Sequence, residues 1–315
     1  MVLALLALAP GARADTYPSR PIKLIVPFAA GGNGDTVARV TAAFLEKKLG
    51  SAVIVENRPG AGGLIGTNAV AKASPDGYTL CICSTGPVSV APWTEDELAY
   101  QPQKDLQPIS LITTNPLVLV VRPDLDVASG KDIIMLSKKT TKGLTYSNVG
   151  AAGLVTYSGE IFRAETGANL IAVPYRGGAL ATAAVAAGEV DLSFANMSDV
   201  LGQLKGKRIR AIAVTAEQRS PFLPDTPTLI EEGVMKYPIQ SWNALFAPSG
   251  IDKAILARLA GIVREMRRDP DVQKAASNFG STVVANSPEE FAALLNEETA
   301  QWGRGLTASG LVKKK

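Results

Sequence analysis

The sequence predicts an α/β protein of two lobes, each a mostly parallel sheet flanked by helices. Three observations carry that prediction. From Pro21 onward, short β-branched apolar runs alternate with amphipathic stretches, the pattern of βαβ units. The series continues long enough to supply two such sheets within 315 residues. The last third then turns helical, which suggests a chain that crosses between lobes twice. The crossings are expected near residues 114–123 and 247–250, giving one lobe from 15–116 and 248–315 and a second from 117–247.

Residues 22–26 (Ile-Lys-Leu-Ile-Val) read as a strand buried on both faces. It ends at Pro27, and a glycine-rich turn, Ala29-Ala30-Gly31-Gly32-Asn33-Gly34-Asp35, follows. Val37, Val40, Phe44 and Leu45 then fall on one helical stripe, with Gly50 placed to cap it. Strands at 52–55 and 79–83, joined through the turn 57–63 and another helix, complete a βαβαβ unit with right-handed crossovers. A second unit starts at 117–121. Strands ending at Thr145-Tyr146 and spanning 170–173, 190–194 and 210–214 continue it, with an alanine-rich helix at 179–187. Helices over 253–268 and after Ser287-Pro288-Glu289-Glu290 close the chain; the latter tetrad combines an N-cap Ser, Pro at the first position and a capping-box Glu.

The N-terminus reads as an export address. Residues 2–9 are almost wholly apolar, and Ala12-Arg13-Ala14 supplies small residues around a cleavage point before Asp15. The positive flank of such a signal is missing, and a buried first strand is the alternative reading. The apolar run is too short to span a bilayer. A cleaved signal over 1–14 makes the mature protein soluble and exported.

Composition excludes more than it assigns. There is no histidine, which removes the commonest general base and metal ligand, so Ser-His-Asp, Cys-His and HExxH sites are impossible. Paired-carboxylate catalysis has no motif pointing to it. No metal site and no cofactor are expected: neither Gly130-Lys131 nor Gly206-Lys207 completes a Walker loop, and Ile65 breaks a GxGxxG pattern. The net charge of +3 is dispersed, which argues against a nucleic-acid partner, and Lys313-Lys314-Lys315 reads as a solvated tail. Cys81 and Cys83 share one face of a strand and read as small core residues.

In open α/β sheets, ligands bind beyond the carboxyl ends of the strands. The turn at Phe28, Ala29, Ala30, Gly31 and Gly32 occupies such an end, with uncovered backbone N–H groups and a helix N-terminus aimed at an anion. Spacing alone leaves open whether these glycines serve an anion or only a tight turn. Asp35 is expected to hold the turn, because it would repel an anion. Ser84, Thr85, Asn148 and Asn196 also follow strands, and Ala151 and Gly153 lie where a second-lobe strand runs into a helix. Donors at facing strand ends of two lobes describe a closing cleft.

Several of these stretches carry a resemblance. Val26-Pro27-Phe28-Ala29-Ala30-Gly31-Gly32 with Asp35 is similar to the first-lobe ligand loop of the tripartite tricarboxylate transporter substrate-binding proteins, the Bug (Bordetella uptake) family. Residues 55–66 (Val-Glu-Asn-Arg-Pro-Gly-Ala-Gly-Gly-Leu-Ile-Gly) resemble that family's most distinctive stretch. Ser74-Pro75-Asp76-Gly77-Tyr78, Lys104-Asp105-Leu106, Val173-Pro174-Tyr175-Arg176-Gly177-Gly178 and Phe246-Ala247-Pro248-Ser249-Gly250 follow in order. The resemblance covers essentially all of the mature chain.

It implies a periplasmic type II binding-protein clamshell, monomeric and non-enzymatic, that delivers a small carboxylate to a large and a small integral membrane subunit. It also implies that the Phe28–Gly32 loop holds a carboxylate through backbone donors, with Tyr175 among the residues of the opposite wall. The same clamshell could instead report its ligand to a membrane sensor. The second-lobe loop departs from the family pattern, a Ser-rich stretch ending in His: here it reads Gly150-Ala151-Ala152-Gly153-Leu154-Val155-Thr156. Lost donors there point to a ligand whose distal end is less polar, such as an aromatic or monocarboxylic acid.

Overall fold

The computed structural model describes residues 17–149, 153–175, 177–308 and 310–312. The expected signal segment lies outside them. In chain order the elements are β1 (Ile22–Val26), α1 (Asn33–Leu49), β2 (Val53–Asn57), α2 (Leu64–Ala71), β3 (Thr79–Ser84), α3 (Ala91–Thr94), α4 (Pro102–Asp105) and β4 (Leu106–Val121). Then come α5 (Gly130–Lys139), β5 (Leu144–Asn148), α6 (Leu154–Thr166), β6 (Leu170–Pro174), α7 (Gly178–Ala186), β7 (Leu192–Asn196), α8 (Met197–Lys205) and β8 (Arg210–Val214). The chain closes with β9 (Gln240–Pro248), α9 (Lys253–Glu265), α10 (Pro270–Asn278), β10 (Thr282–Val283) and α11 (Pro288–Ala308).

Local chemistry sets the ends of these helices. Gly50 terminates α1 in the left-handed region (φ 67°) and returns its N–H to Glu46 O, while Lys47 and Lys48 complement the carboxyl end of the dipole. Asp252 and Asp269 cap α9 and α10 by accepting N–H groups of their first turns. Ser287 and Glu290 form the expected capping box: Ser287 N donates to Glu290 Oε2 at 2.8 Å and Glu290 N to Ser287 Oγ at 3.2 Å.

The strands fall into two groups. In the first lobe β1 pairs in parallel with β2 and β3, and β9 runs antiparallel between β3 and β4. In the second, β5 pairs in parallel with β6 and β7, and β7 and β8 pair antiparallel with β4. β4 belongs to both. Its rungs as far as Pro116 face β9, and those from Leu117 face β7 and β8.

The partner change along β4 falls at Pro116–Leu117. The whole of β9, from Gln240 onward, is bonded to first-lobe strands, whereas Ile239 N still donates to Thr215 O of the second lobe. Backbone pairing thus changes partners at Ile239–Gln240, where β9 begins and goes on to pair with β3. Helix α11 packs against both groups of strands. Phe291 and Leu295 pack with Trp242 and Phe246, while Trp302 and Leu306 join the second-lobe core around Leu117, Tyr146 and Ile239.

Cys81 and Cys83 are fully buried, as a core reading requires, but they are not free thiols: they form a disulfide with Cα atoms 5.4 Å apart. Alternate strand residues share a face, which brings the two sulfurs together. Among the described residues no helix is long and apolar enough to cross a membrane.

Candidate functional site

The first-lobe turn is held from below. Gly31, at φ 85°, donates its N–H to Asp35 Oδ2 at 2.9 Å, the Arg39 Nε–H donates to the same oxygen at 2.9 Å, and Asn57 Nδ2 donates to Asp35 Oδ1 at 3.0 Å. Burial works to raise the Asp35 carboxyl, but Arg39, the Gly31 amide and Asn57 outweigh it and hold it below the usual carboxylate range. Asp35 thus stabilises the turn, and its charge is matched by Arg39. Asn57 Nδ2 also donates to Phe28 O at 3.0 Å.

The Phe28 ring points into the lobe. A Cβ at Gly63 would lie 2.9 Å from Phe28 Cζ, and one at Gly34 3.4 Å from Phe28 Cδ2. A Cβ at Gly66 would lie 2.7 Å from both Pro27 Cα and Arg58 O. The glycines of 60–66 are thus a buttress that lets α2 approach the back of the turn. What remains toward solvent is the backbone of Ala29, Ala30 and Gly31, all exposed, and the α1 N-terminus, where Gly32 offers no side-chain cap.

Sequence-selected residues divide by what their polar atoms do. Thr85 Oγ1 is buried, accepting from Trp242 N at 3.1 Å and donating to Gln240 O at 3.5 Å, so it ties the segment after β3 to β9. The hydroxyl of half-buried Ser84 has no partner among the described residues. Tyr175 N donates to Asn148 O at 2.8 Å, and the Tyr175 hydroxyl is engaged by Glu189 at 3.3 Å. Gly153 is the N-cap of α6, and its carbonyl accepts from Thr156 N and Tyr157 N. Val149 N donates to Thr156 Oγ1 at 3.3 Å. Ala151 lies outside the described residues.

A continuous path of contacts joins the two sets of strand ends. Asn33, in the first turn of α1, accepts at Oδ1 from Asn243 of β9 and from Asn115 of β4 (3.4 Å), and its Nδ2 donates to Ser281 Oγ at 3.5 Å. Asn115, Asn243 and Ser281 are buried, and Ser281 Oγ donates to Asn115 Oδ1. Beside Ser281, Gly280 abuts Met197 and Leu201 of α8 so closely that a Cβ would overlap Met197. Met197 follows Asn196, whose Nδ2 donates to Asp199 Oδ2 at 3.4 Å, and Asp199 in turn underlies Gly178 at the start of α7.

Sequence reasoning missed Asn33, Asn115, Asn243 and Asp199. Buried asparagines on strands, as Asn115 and Asn243 are, give no periodic signal, and only the fold brings them to Asn33. A separate cavity of about 120 Å³ lies behind the crossing, lined by Tyr237, Gln240, Glu298 and Trp302, away from these strand ends. No group of three or more His, Cys, Asp or Glu suited to a metal ion is present among the described residues.

This architecture is shared with known binding proteins. Periplasmic binding protein BugD superposes with a TM-score of 0.86 at 33% identity over 95% of this chain and 100% of that one. Rpa4515 of R. palustris, solved with adipate, gives a TM-score of 0.88 at 30% identity over 94% and 99%. MatC of Rhodopseudomonas palustris, solved with bound malate, gives 0.85 at 30% identity over 92% and 100%. Residues 37–311 match the model of the tripartite tricarboxylate transporter family receptor. A match over that much of the chain, joined to a two-lobed α/β frame with open strand ends, establishes that the protein belongs to the tripartite tricarboxylate transporter receptor family, periplasmic binding proteins that capture a solute without transforming it.

Proposed function

We propose that this protein captures a small organic carboxylate between its lobes and hands it to a large and a small membrane subunit of a tripartite transporter, after removal of the first 14 or so residues on export. The observation that carries the ligand class is the turn at Ala29-Ala30-Gly31, whose exposed backbone stands at a helix N-terminus while Asp35 is neutralised from behind by Arg39. A helix dipole favours an anion by roughly 0.3–1 kcal/mol at an exposed site, and charge-assisted bonds to backbone N–H groups add to it. Rpa4515 and MatC, solved with adipate and malate, support the same class.

The opposite wall is formed by Asn148, Tyr175 and Asn196 at second-lobe strand ends, with Ser84 beside the turn. The ligand must interact better with the closed state than with the open one, and donors contributed from both lobes supply that difference. Closure bends β4 at Asn115–Leu117 and the return at Ile239–Gln240.

A thermal-shift screen of ligand-stripped protein against di-, tri-, amino and aromatic acids tests this reading. A ligand at 100 times its dissociation constant adds about 2.7 kcal/mol of stability, a readily visible shift. Absence of any stabiliser across such a panel would count against a carboxylate ligand.

A further inference from the structure

We propose that Asp199 selects among carboxylates by accepting a hydrogen bond from the ligand's far end, so that the preferred ligand is an acid tipped with an ammonium or hydroxyl group rather than with a second carboxylate. The inference rests on the carboxylate reading of the first-lobe turn.

Asp199 sits where the N-termini of α7 and α8 meet. Its Oδ2 lies so close under Gly178, the first residue of α7, that a Cβ there would overlap the carboxylate, and Asn196, the N-cap of α8, supplies its neighbouring amide. Convergent helix N-termini at strand ends are where a binding protein holds an incoming anion. Here the chain's own carboxylate already occupies that place. A ligand carboxylate arriving beside it meets like charge, whereas an ammonium or hydroxyl meets an acceptor.

The acceptor is under-used. An ionised carboxylate offers about four lone-pair sites. Among the described residues Asp199 has a single hydrogen-bond partner, Asn196, at the long distance of 3.4 Å, and no cation pairs with it. Burial pushes its carboxyl above the usual range, with Asn196 opposing, and a ligand ammonium or hydroxyl beside it favours the ionised, accepting form. The second-lobe stretch 149–153 carries no charged residue, reading Val-Gly-Ala-Ala-Gly. The expected less polar distal end is thereby sharpened: the wall offers few donors because it offers an acceptor.

The test holds chain length fixed and varies only the tip. Butyrate, succinate, 4-hydroxybutyrate and 4-aminobutyrate form one set; hexanoate, adipate, 6-hydroxyhexanoate and 6-aminohexanoate form a longer one. Titration of ligand-stripped wild type, Asp199→Asn and Asp199→Ser by calorimetry reads the affinities. In wild type, the hydroxyl- or ammonium-tipped acid of one set binds at least tenfold tighter than the diacid and the methyl-tipped acid of equal length. Charge-assisted bonds lost from buried partners weaken binding by about ten- to hundredfold, so both variants lose that much for the donor-tipped acid while the diacid gains. A wild type that prefers the diacid overturns the inference from its ranking alone, whatever the variants do, and leaves the carboxylate reading standing. Failure of all eight acids to bind wild type overturns the carboxylate reading and this inference with it.

Discussion

Glu298 Oε2 accepts the indole Nε1–H of Trp242 at 2.7 Å and the Ser89 hydroxyl at 3.0 Å, joining α11 to β9 and to the segment after β3 at the back of the crossing. Burial pushes this carboxyl from 4.5 up to about 7, against the opposing bonds from Trp242, Ser89 and Trp302. The folded state therefore keeps its proton where the unfolded chain has lost it. The stabilisation is complete below pH 4.5 and disappears as pH rises through 7, amounting to at most about 3 kcal/mol. Urea unfolding of wild type should show stability declining between pH 5 and 8 by some part of that amount. Glu298→Gln, neutral throughout, should flatten the decline; a Gln variant with an unchanged pH profile would assign the dependence elsewhere.

Gly31 has a positive φ of 85° and open space where a Cβ would stand. Asn tolerates that backbone region better than most residues and is nearly isosteric with Asp. Gly31→Asp should abolish carboxylate binding, while Gly31→Asn stays within about tenfold of wild type. Charge repulsion in the turn is then what separates them. Equal losses in the two variants, measured by calorimetry on folded protein, would mean that backbone strain and not an anion explains the effect.

Asn243→Ala removes a buried donor from Asn33 Oδ1 and from Thr113 Oγ1. An unsatisfied buried polar group costs about 1–3 kcal/mol, so the variant should lose that much in urea unfolding. A smaller loss for Asn243→Ser is expected if part of the network is retained.

Gly66→Ala would force a methyl group to within 2.7 Å of Pro27 Cα and Arg58 O, both backbone atoms that cannot swing aside. Overpacking of this kind costs about 1–3 kcal/mol. Because the displaced segment carries the Phe28–Gly32 turn, ligand affinity should fall together with stability. Gly261→Ala, with open space around its Cβ in the exposed part of α9, should leave affinity unchanged and raise stability by about 0.5–1 kcal/mol.

The parallel strands and their helices were legible because burial on both faces writes an uninterrupted apolar run, as in Ile22–Val26, and because Gly50 and the Ser287–Glu290 box mark helix ends. The antiparallel strands were less so. β4 contains Pro108 and Pro116, which read as breaks; one sits at a register shift against β9 and the other at the rung where β4 changes lobes. β9 opens with Gln, Ser, Trp and Asn, a polar start with no alternation, because its asparagine faces a hydrogen-bond network instead of solvent.

At the site, the turn of Phe28 to Gly32 could be located from glycine and chain position. The role of Thr85 could not, since its hydroxyl finds Trp242 N only after β9 returns from the second lobe. Asp199 carried no motif: a carboxylate in the first turn of a helix reads as an ordinary dipole partner until the glycine of another helix is seen resting on it.

The position of β9 between β3 and β4 has a consequence for the order in which a growing chain can assemble. Pro116 and Gln240 are partners on one rung, so everything between them must be made before β3 acquires its neighbour. Until then β3, with its apolar Leu80–Cys83 run, presents an unpaired edge, the kind of surface that recruits other chains. A nascent polypeptide halted short of residue 240 should therefore be aggregation-prone although most of its sequence is in hand. One released after β9 has docked should not be, and chaperone demand during biosynthesis should peak in that interval.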